Sequence, residues 1–169
     1  MDQEIVLSVS KLKKYFPVRR GFIWQKTIGQ VKAVDEVSFE VYRGETLGII
    51  GESGCGKTTL ARMIMGLEKP TEGEITFLGE KIHTDMPADL RKKIQMVFQD
   101  PYSSLDPRMN IRRIIEEPLR VHTKLTSKEK KELLLPLLKN VGIDEYALQK
   151  YPHEFSGGLR QRIGIARAL

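Results

Sequence analysis

The feature that most constrains this chain is a glycine-rich segment, GESGCGKTT at residues 51–59, between an apolar run and a helical pattern. Four of its residues match the pattern G-x-x-x-x-G-K-[ST], namely Gly51, Gly56, Lys57 and Thr58. Glycines let successive backbone N–H groups converge on phosphate oxygens, and the following helix adds the positive end of its dipole. The segment therefore predicts a phosphate-binding loop, and the alternative is an ordinary tight turn between a strand and a helix.

Each polar residue of this loop has an expected part in binding a nucleotide. Lys57 is predicted to reach the β- and γ-phosphates, and the Thr58 hydroxyl to take one coordination position on Mg²⁺. Thr59 is expected to add a phosphate contact from the same helical turn. The other loop residues are expected to line the phosphates, mainly through backbone donors: Glu52, Ser53, Gly54 and Cys55.

Composition excludes several classes of protein. With 169 residues, 40% of them hydrophobic and 30% charged, the chain suits one soluble domain with a core rather than a disordered segment. Its net charge is +6, but the basic residues are scattered, so we expect solvated lysines and no nucleic-acid partner. The single cysteine cannot form an internal disulfide. The apolar runs are too short to span a bilayer and the N-terminus does not resemble a signal peptide, which favours a cytoplasmic location.

The pattern of apolar residues predicts strands first and helices later. Residues 37–41 alternate with period two, and residues 46–50 (TLGII) form the continuous apolar run of a strand covered on both faces. Residues 74–79 and 94–99 are predicted as further strands. A helix with Leu60, Ile64 and Leu67 on one face is expected to end near Gly66. This order favours an α/β core with a helical insertion.

The second half of the chain has helical periodicity. One helix is predicted from Asn110, with Pro118 expected to kink or end it. Thr126 and Glu129 have the spacing of a capping box, which begins a helix that Gly142 follows.

A second glycine-rich segment, FSGGLRQR at residues 155–162, decides between classes of phosphate-loop protein. Ser156 is expected to cap a helix, and Gly157 and Gly158 to expose backbone N–H groups to an anion. The tetrapeptide Asn-Lys-x-Asp is absent, which disfavours a guanine-specific GTPase. One nucleotide can contact both glycine segments only if they approach its γ-phosphate from opposite sides.

With these two motifs the chain resembles the ATP-binding subunits of ABC transporters over essentially its whole length. Residues 51–59 resemble the Walker A loop, residues 98–107 (FQDPYSSLDP) contain the Q-loop glutamine as Gln99, and residues 156–162 resemble the signature motif. Further segments resemble the oligopeptide and dipeptide importers: KKYFPVRRG, VKAVDEVSF, QDPYSSLDPRM and YPHEFSGG.

The resemblance implies an α/β fold, an incomplete P-loop NTPase domain of the ABC type with an antiparallel β part, a RecA-like core and an α-helical subdomain. The single partial domain, residues 1–169, would then divide into four segments. They are a mainly antiparallel β region (1–45), the P-loop core (46–100), the helical subdomain (101–155) and the signature loop with its helix (156–169).

The resemblance also implies roles for individual residues. Two subunits pair head to tail, so that each ATP lies between one Walker A loop and the partner's signature residues, here Ser156, Gly157 and Gly158. Gln99 would be a ligand to Mg²⁺ and would position the attacking water. Tyr15 would stack on adenine, with Phe16 as the second choice; the alternative for Tyr15 is an aromatic residue packed on the strand surface.

The implied partners are a second ABC ATPase subunit in a homo- or heterodimer, and transmembrane permease subunits docked on the helical subdomain. A solute-binding protein would act indirectly, and the subunit would be peripheral on the cytoplasmic face of the membrane. Two alternatives stay open: a soluble ABC ATPase acting on ribosomes or DNA, and a non-catalytic nucleotide-binding regulator.

The chain departs from the family pattern in two places. Leu159 follows Ser-Gly-Gly where the family usually has glutamine, so we expect some loss of turnover. The Walker B aspartate and the catalytic glutamate are absent, and His83, His122 and His153 are interpreted as surface or packing residues. We therefore expect these 169 residues alone to be poorly stable and to bind ATP but hardly hydrolyse it.

Overall fold

The computed structural model describes residues 4–20 and 26–169 and divides the chain into two compact units, Met1–Pro87 and Ala88–Leu169. Each unit is described by itself. The four segments expected from the sequence are a finer division, and they stay a prediction.

Among its described residues, the first unit contains one sheet and one helix. Its strands are paired antiparallel in the order β2-β1-β3-β4, with bounds β1 Ile5–Arg20, β2 Lys26–Tyr42, β3 Glu72–Phe77 and β4 Glu80–Lys81. The strands expected at residues 37–41 and 74–79 lie within β2 and at β3. Helix α1 comprises Lys57–Ile64 and ends two residues before Gly66, whose φ of 66° suits a glycine. The antiparallel β part of the expected fold is thereby confirmed.

The core of the first unit lies between this sheet and α1. Apolar residues of the strands turn one face inward, and α1 buries the side chains that share its inner face. The buried set includes Val9, Leu12, Val34, Leu60, Met63, Ile75 and Phe77.

Two of the strands predicted from apolar runs are not formed, so these two predictions are wrong. Residues 46–50 and 94–99 have no strand conformation. The sheet of the described residues is antiparallel throughout and brings no strand alongside either run, so their N–H and C=O groups have no ladder to join. Most of their side chains are exposed: Ile50 is 98% exposed, whereas Ile94 and Met96 are half-buried.

The second unit is helical. Its helices are α2 Ala88–Arg91, α3 Pro101–Ser104, α4 Ile111–His122, α5 Ser127–Asn140 and α6 Gly157–Ala168, with two short 3₁₀ turns at Glu145–Gln149 and Pro152–Glu154. One apolar cluster joins α4, α5 and α6, and it includes Ile111, Ile114, Ile115, Leu134, Leu138 and Ile163. None of the helices among the described residues has the length and apolar character that crossing a membrane requires.

Helix α4 does not end at Pro118, contrary to one of the two outcomes expected for this residue. It continues to His122 with Pro118 in its interior. A proline lacks the N–H that would bond to the carbonyl four residues earlier, which weakens the helix. The inner face of α4 offsets this loss because Ile111, Ile114 and Ile115 are each almost fully buried.

The expected capping box at the start of α5 is confirmed. The Glu129 N–H donates to the Thr126 hydroxyl at 3.3 Å, and the Thr126 N–H donates to the Glu129 carboxylate at 2.7 Å. Hydrogen bonds from the hydroxyl and the backbone of Thr126 lower the pKa of Glu129. A carboxyl with a lowered pKa stabilises the folded state above its ordinary pKa, and this contribution is lost as the pH falls through the lowered value.

We expect Thr126→Ala to lower the free energy of unfolding by about 1 kcal/mol, because one N–H at the start of α5 loses its partner. Urea unfolding followed by circular dichroism measures the change. Ser127→Ala is the matched control, since Ser127 is exposed and the cap of α5 is formed by Thr126. Equal effects of the two substitutions would contradict the assigned cap.

Candidate functional site

The glycine-rich loop forms the turn that the sequence predicts before a helix. Gly56 is the N-cap of α1, with a φ of 99° that L side chains rarely adopt. A Cβ on Gly56 would lie 1.9 Å from the carbonyl oxygen of Ala33 in β2. Only glycine permits this approach, so the loop is held directly against the backbone of β2.

The residue that Gly56 contacts is the extra residue of a β-bulge. Lys14 pairs with Val34 and Tyr15 with Lys32, so one step along β1 matches two steps along β2 and leaves Ala33 without a partner in the ladder. A bulge bends its strand and turns neighbouring side chains to new directions. This irregularity presents the Ala33 carbonyl to Gly56.

Lys57 is bound within its own loop. Its ammonium donates to the carbonyl oxygens of Gly51 and Glu52, both at 2.7 Å, and lies 3.5 Å from the Cys55 Sγ. A Cβ on Gly51 would meet that Sγ at 2.5 Å, so glycine at this position leaves room for the Cys55 side chain beside the lysine. The loop thus encloses one positive charge at the start of a helix.

The environment of the loop suits an anion with a bound metal. The first turn of α1 contains no acidic residue, and its N-terminus adds unpaired N–H groups and a positive dipole. Thr58 is exposed and supplies a hydroxyl oxygen. Mg²⁺ binds few protein oxygens and completes its shell with phosphate oxygens and water, so one hydroxyl fits the expected donor set. Among the described residues no cluster of histidine, cysteine or carboxylate side chains forms a separate metal site.

Tyr15 lies beside the point where Gly56 contacts β2. Its backbone N–H donates to the Thr71 Oγ1 at 3.0 Å, and its hydroxyl donates to the Asp35 carboxylate. Lys32 donates to the same carboxylate at 3.1 Å, and its ammonium lies 5.2 Å from the centre of the Tyr15 ring. The ring is therefore held at its backbone, at its hydroxyl and over one face.

Tyr15, Lys32 and Asp35 shift one another's pKa values. The hydrogen bond from the Tyr15 hydroxyl, followed by that from Lys32, lowers the pKa of Asp35. The same hydroxyl bond raises the pKa of Tyr15, and the bond to Asp35 raises the pKa of Lys32. Asp35 therefore stays ionised and Tyr15 and Lys32 stay protonated over the physiological range.

Phe16, the second candidate for a stacking residue, is less constrained. Its ring has no polar atom, and it is 37% exposed. The Lys14 ammonium lies 4.9 Å from its centre while donating to the carbonyl oxygen of Lys69 and pairing with Glu68. The contacts favour Tyr15 as the fixed aromatic surface near the loop.

Gln99 and the second glycine segment belong to the second unit. Gln99 is exposed and immediately precedes Asp100, whose carboxylate accepts the Tyr102 N–H at 2.9 Å and caps α3. Ser156 is the N-cap of α6, as expected, but its side chain makes no capping hydrogen bond. Ser156 and Gly158 are exposed at the start of that helix. Their roles toward a nucleotide stay predictions.

Arg160 holds the start of α6 in place, a role that its position in the sequence does not reveal. The side chain is only 8% exposed. Its Nε donates to the Pro152 carbonyl oxygen at 2.7 Å, and its guanidinium lies 4.0 Å from the centre of the Tyr102 ring. Arg167 adds a bond of 2.6 Å to the Ser104 carbonyl oxygen. The helix after the second glycine segment is thus tied to α3, the helix that follows Gln99.

Asp35 and Arg160 were missed for the same reason: each interacts through residues distant in sequence. Asp35 lies 20 residues from Tyr15, and Arg160 lies 58 residues from Tyr102. Charged residues in strand or helix patterns are usually solvated, so pattern alone gave no signal for either residue.

We expect Gly56→Ala to destabilise the chain by more than about 1 kcal/mol, because a Cβ at a positive φ meets the Ala33 carbonyl. Thermal unfolding followed by circular dichroism measures the loss. Gly48→Ala is the matched control, since a Cβ there meets nothing within 4 Å. A Gly56→Ala chain as stable as the control would show that the loop does not need the contact with β2.

Comparison with known proteins agrees with this geometry. A family model described as "ABC transporter" matches residues 34–169. The oligopeptide transport ATP-binding protein AppF of Bacillus subtilis is 52% identical over 99% of this chain and 52% of its own length. The dipeptide transport ATP-binding protein DppF of Haemophilus influenzae is 48% identical over 97% of this chain and 50% of its own. The chain spans about half the length of these curated relatives.

Solved structures support the same fold. A dimeric ATP-binding cassette in a post-hydrolysis state, bound to ADP and Pi, aligns with a TM-score of 0.82 at 29% sequence identity. The alignment covers 96% of this chain and 68% of that chain. The fold class expected from the sequence is confirmed.

Proposed function

The chain belongs to the ABC transporter family, and on that premise we propose that it is the ATP-binding portion of a subunit that powers uptake of peptides or similar solutes. The relatives named above are oligopeptide and dipeptide transport ATP-binding proteins. The substrate class is proposed for this protein because nearly all of its sequence aligns with theirs at about half identity.

The observation that carries the proposal is the loop of residues 51–59 closed around Lys57. Two backbone carbonyls hold the ammonium inside the loop, next to a helix N-terminus that has no acidic residue. Phosphate oxygens are stronger partners for an ammonium than neutral carbonyls, because both members of the pair are then charged. ATP would therefore draw the Lys57 ammonium onto its phosphates.

The rest of the loop would complete the phosphate site. Backbone donors of the loop residues and the hydroxyl of Thr59 would contact the phosphates, while the Thr58 hydroxyl would be a ligand to Mg²⁺. Gln99 is proposed by itself as a Mg²⁺ ligand and as the residue that positions the attacking water. Bound Mg²⁺ neutralises phosphate charge and polarises the phosphoryl group. Tyr15 would stack on the adenine.

The second glycine segment would serve the nucleotide of a partner subunit. Ser156, Gly157 and Gly158 begin α6 with the serine side chain unused in capping. An exposed helix N-terminus of this kind offers N–H groups and a hydroxyl to an anion. We assign these residues to the γ-phosphate bound by the Walker A loop of a second ABC ATPase subunit, in a head-to-tail dimer.

Hydrolysis is proposed for the full-length protein. The Walker B aspartate and the catalytic glutamate of the family are not among these 169 residues. Phosphoryl transfer to water needs the metal held and the water oriented, and Lys57, Thr58 and Gln99 supply part of this. The subunit would act on the cytoplasmic face of the membrane, bound to transmembrane permease subunits that receive solute from a binding protein.

Lys57→Met should weaken Mg-ATP binding by at least about ten-fold, because a hydrogen-bonded charge pair is lost. Isothermal titration calorimetry on the full-length protein, with a non-hydrolysable ATP analogue, measures the dissociation constant. Lys128→Met removes the same charge from an exposed position in α5 and should leave the dissociation constant unchanged. Unaltered ATP binding by Lys57→Met would refute the phosphate site.

The transport proposal is tested with the full-length protein, tagged and purified from its own membranes in mild detergent. We expect it to carry transmembrane subunits and, in reconstituted vesicles, to drive ATP-dependent uptake of a labelled dipeptide or tetrapeptide. The same vesicles with Lys57→Met are the control and should show no uptake. Purification with ribosomes or DNA instead of membrane proteins would overturn the importer proposal and leave the ATP site standing.

A further inference from the structure

Segment 32–35 of β2 contacts both ends of the proposed nucleotide site. Its second residue, Ala33, is the bulge whose carbonyl oxygen meets Gly56 at the start of α1. Its outer residues, Lys32 and Asp35, bind each other at 3.1 Å and hold the Tyr15 ring. A single stretch of four residues therefore touches the phosphate loop and the aromatic ring.

We infer that Asp35 is the positioning residue that fixes the Tyr15 ring relative to the phosphate loop, and so sets the selectivity of the site for a nucleoside triphosphate over triphosphate alone. The inference rests on the proposed function, because it assigns Tyr15 to the adenine. Asp35 itself touches the ring's hydroxyl and not the base.

The contacts explain how a carboxylate can orient an aromatic ring. A tyrosine held only by its backbone rotates about two side-chain torsions, and ordering it on binding costs free energy. The bond from the Tyr15 hydroxyl to Asp35 anchors the far end of the ring before a ligand binds. The Tyr15 N–H bond to Thr71 anchors the near end.

Lys32 determines which face of the ring a base can use. Its ammonium lies over the ring at 5.2 Å while it is paired with Asp35. An ammonium over one aromatic face leaves stacking to the opposite face. Loss of Asp35 would release both the hydroxyl and the ammonium, so the ring would lose its orientation.

The phosphate end does not depend on this side chain. Gly56 meets a backbone carbonyl of Ala33, and Lys57 is held by carbonyls of its own loop. A change at Asp35 should therefore alter binding of the adenosine part and leave binding of the phosphates. This difference separates a positioning role from a general structural role.

The test compares dissociation constants for a non-hydrolysable ATP analogue and for inorganic triphosphate, each with Mg²⁺, measured by calorimetry on the full-length protein. Asp35→Ala should weaken ATP binding by about five-fold, the equivalent of one net hydrogen bond, and change triphosphate binding by less than two-fold. Asp35→Asn should restore part of the affinity, since its amide oxygen can accept the hydroxyl bond. Glu36→Ala, an exposed neighbour with the same charge change, should bind both ligands as the parent does.

A double-mutant cycle identifies the partner. Tyr15→Phe keeps the ring and removes the hydroxyl, so it should weaken ATP binding about as much as Asp35→Ala does. Combined, the two substitutions should cost little more than either alone, because both break the same bond.

Three results would overturn the inference: unchanged ATP binding by Asp35→Ala, an equal loss for ATP and triphosphate, or additive effects of the two substitutions. A parent chain that binds neither ligand would refute the proposed function itself, and the inference with it. Triphosphate binding without any preference for ATP would leave the phosphate site intact and refute only the positioning role.

Discussion

The contact between Gly56 and the carbonyl oxygen of Ala33 holds the glycine-rich loop of the first unit against β2. It requires glycine twice over, because the residue has a positive φ and because a Cβ would lie 1.9 Å from the oxygen. It also requires the bulge that leaves Ala33 outside the ladder between β1 and β2. Because of this contact, β2 of the antiparallel sheet fixes the position at which α1 begins after the glycine-rich loop.

The same stretch of β2 contacts both the proposed phosphate loop and Tyr15, the residue proposed to stack on adenine. A phosphate loop recognises charge and binds any triphosphate. A stacked aromatic ring recognises a base, but its binding free energy is small when it acts alone. Fixing both to Lys32, Ala33 and Asp35 sets the spacing between them without a dedicated subdomain. In the second unit, Arg160 and Arg167 tie α6, the helix that the second glycine segment begins, to α3, the helix that follows Gln99.

The parts of the fold that the sequence predicted are those determined by local chemistry. The glycine pattern of the loop, the Thr126–Glu129 capping box and the alternation in β2 need only neighbours in sequence, and all three are found. The strands expected at residues 46–50 and 94–99 are not formed. A parallel strand exists only beside another strand, and the described residues supply no strand beside either segment. Asp35 could not have been predicted either, because its partner is reached through strand pairing and a bulge.

A crystal structure of the protein with Mg²⁺ and a non-hydrolysable ATP analogue would show both ends of the proposed site at once. We expect the Lys57 ammonium on the phosphates instead of on the carbonyls of Gly51 and Glu52. We also expect adenine on the Tyr15 face opposite Lys32, with the bond to Asp35 and the contact between Gly56 and Ala33 both kept. A nucleotide whose base lies away from Tyr15, or a Tyr15 turned away from Asp35, would contradict it.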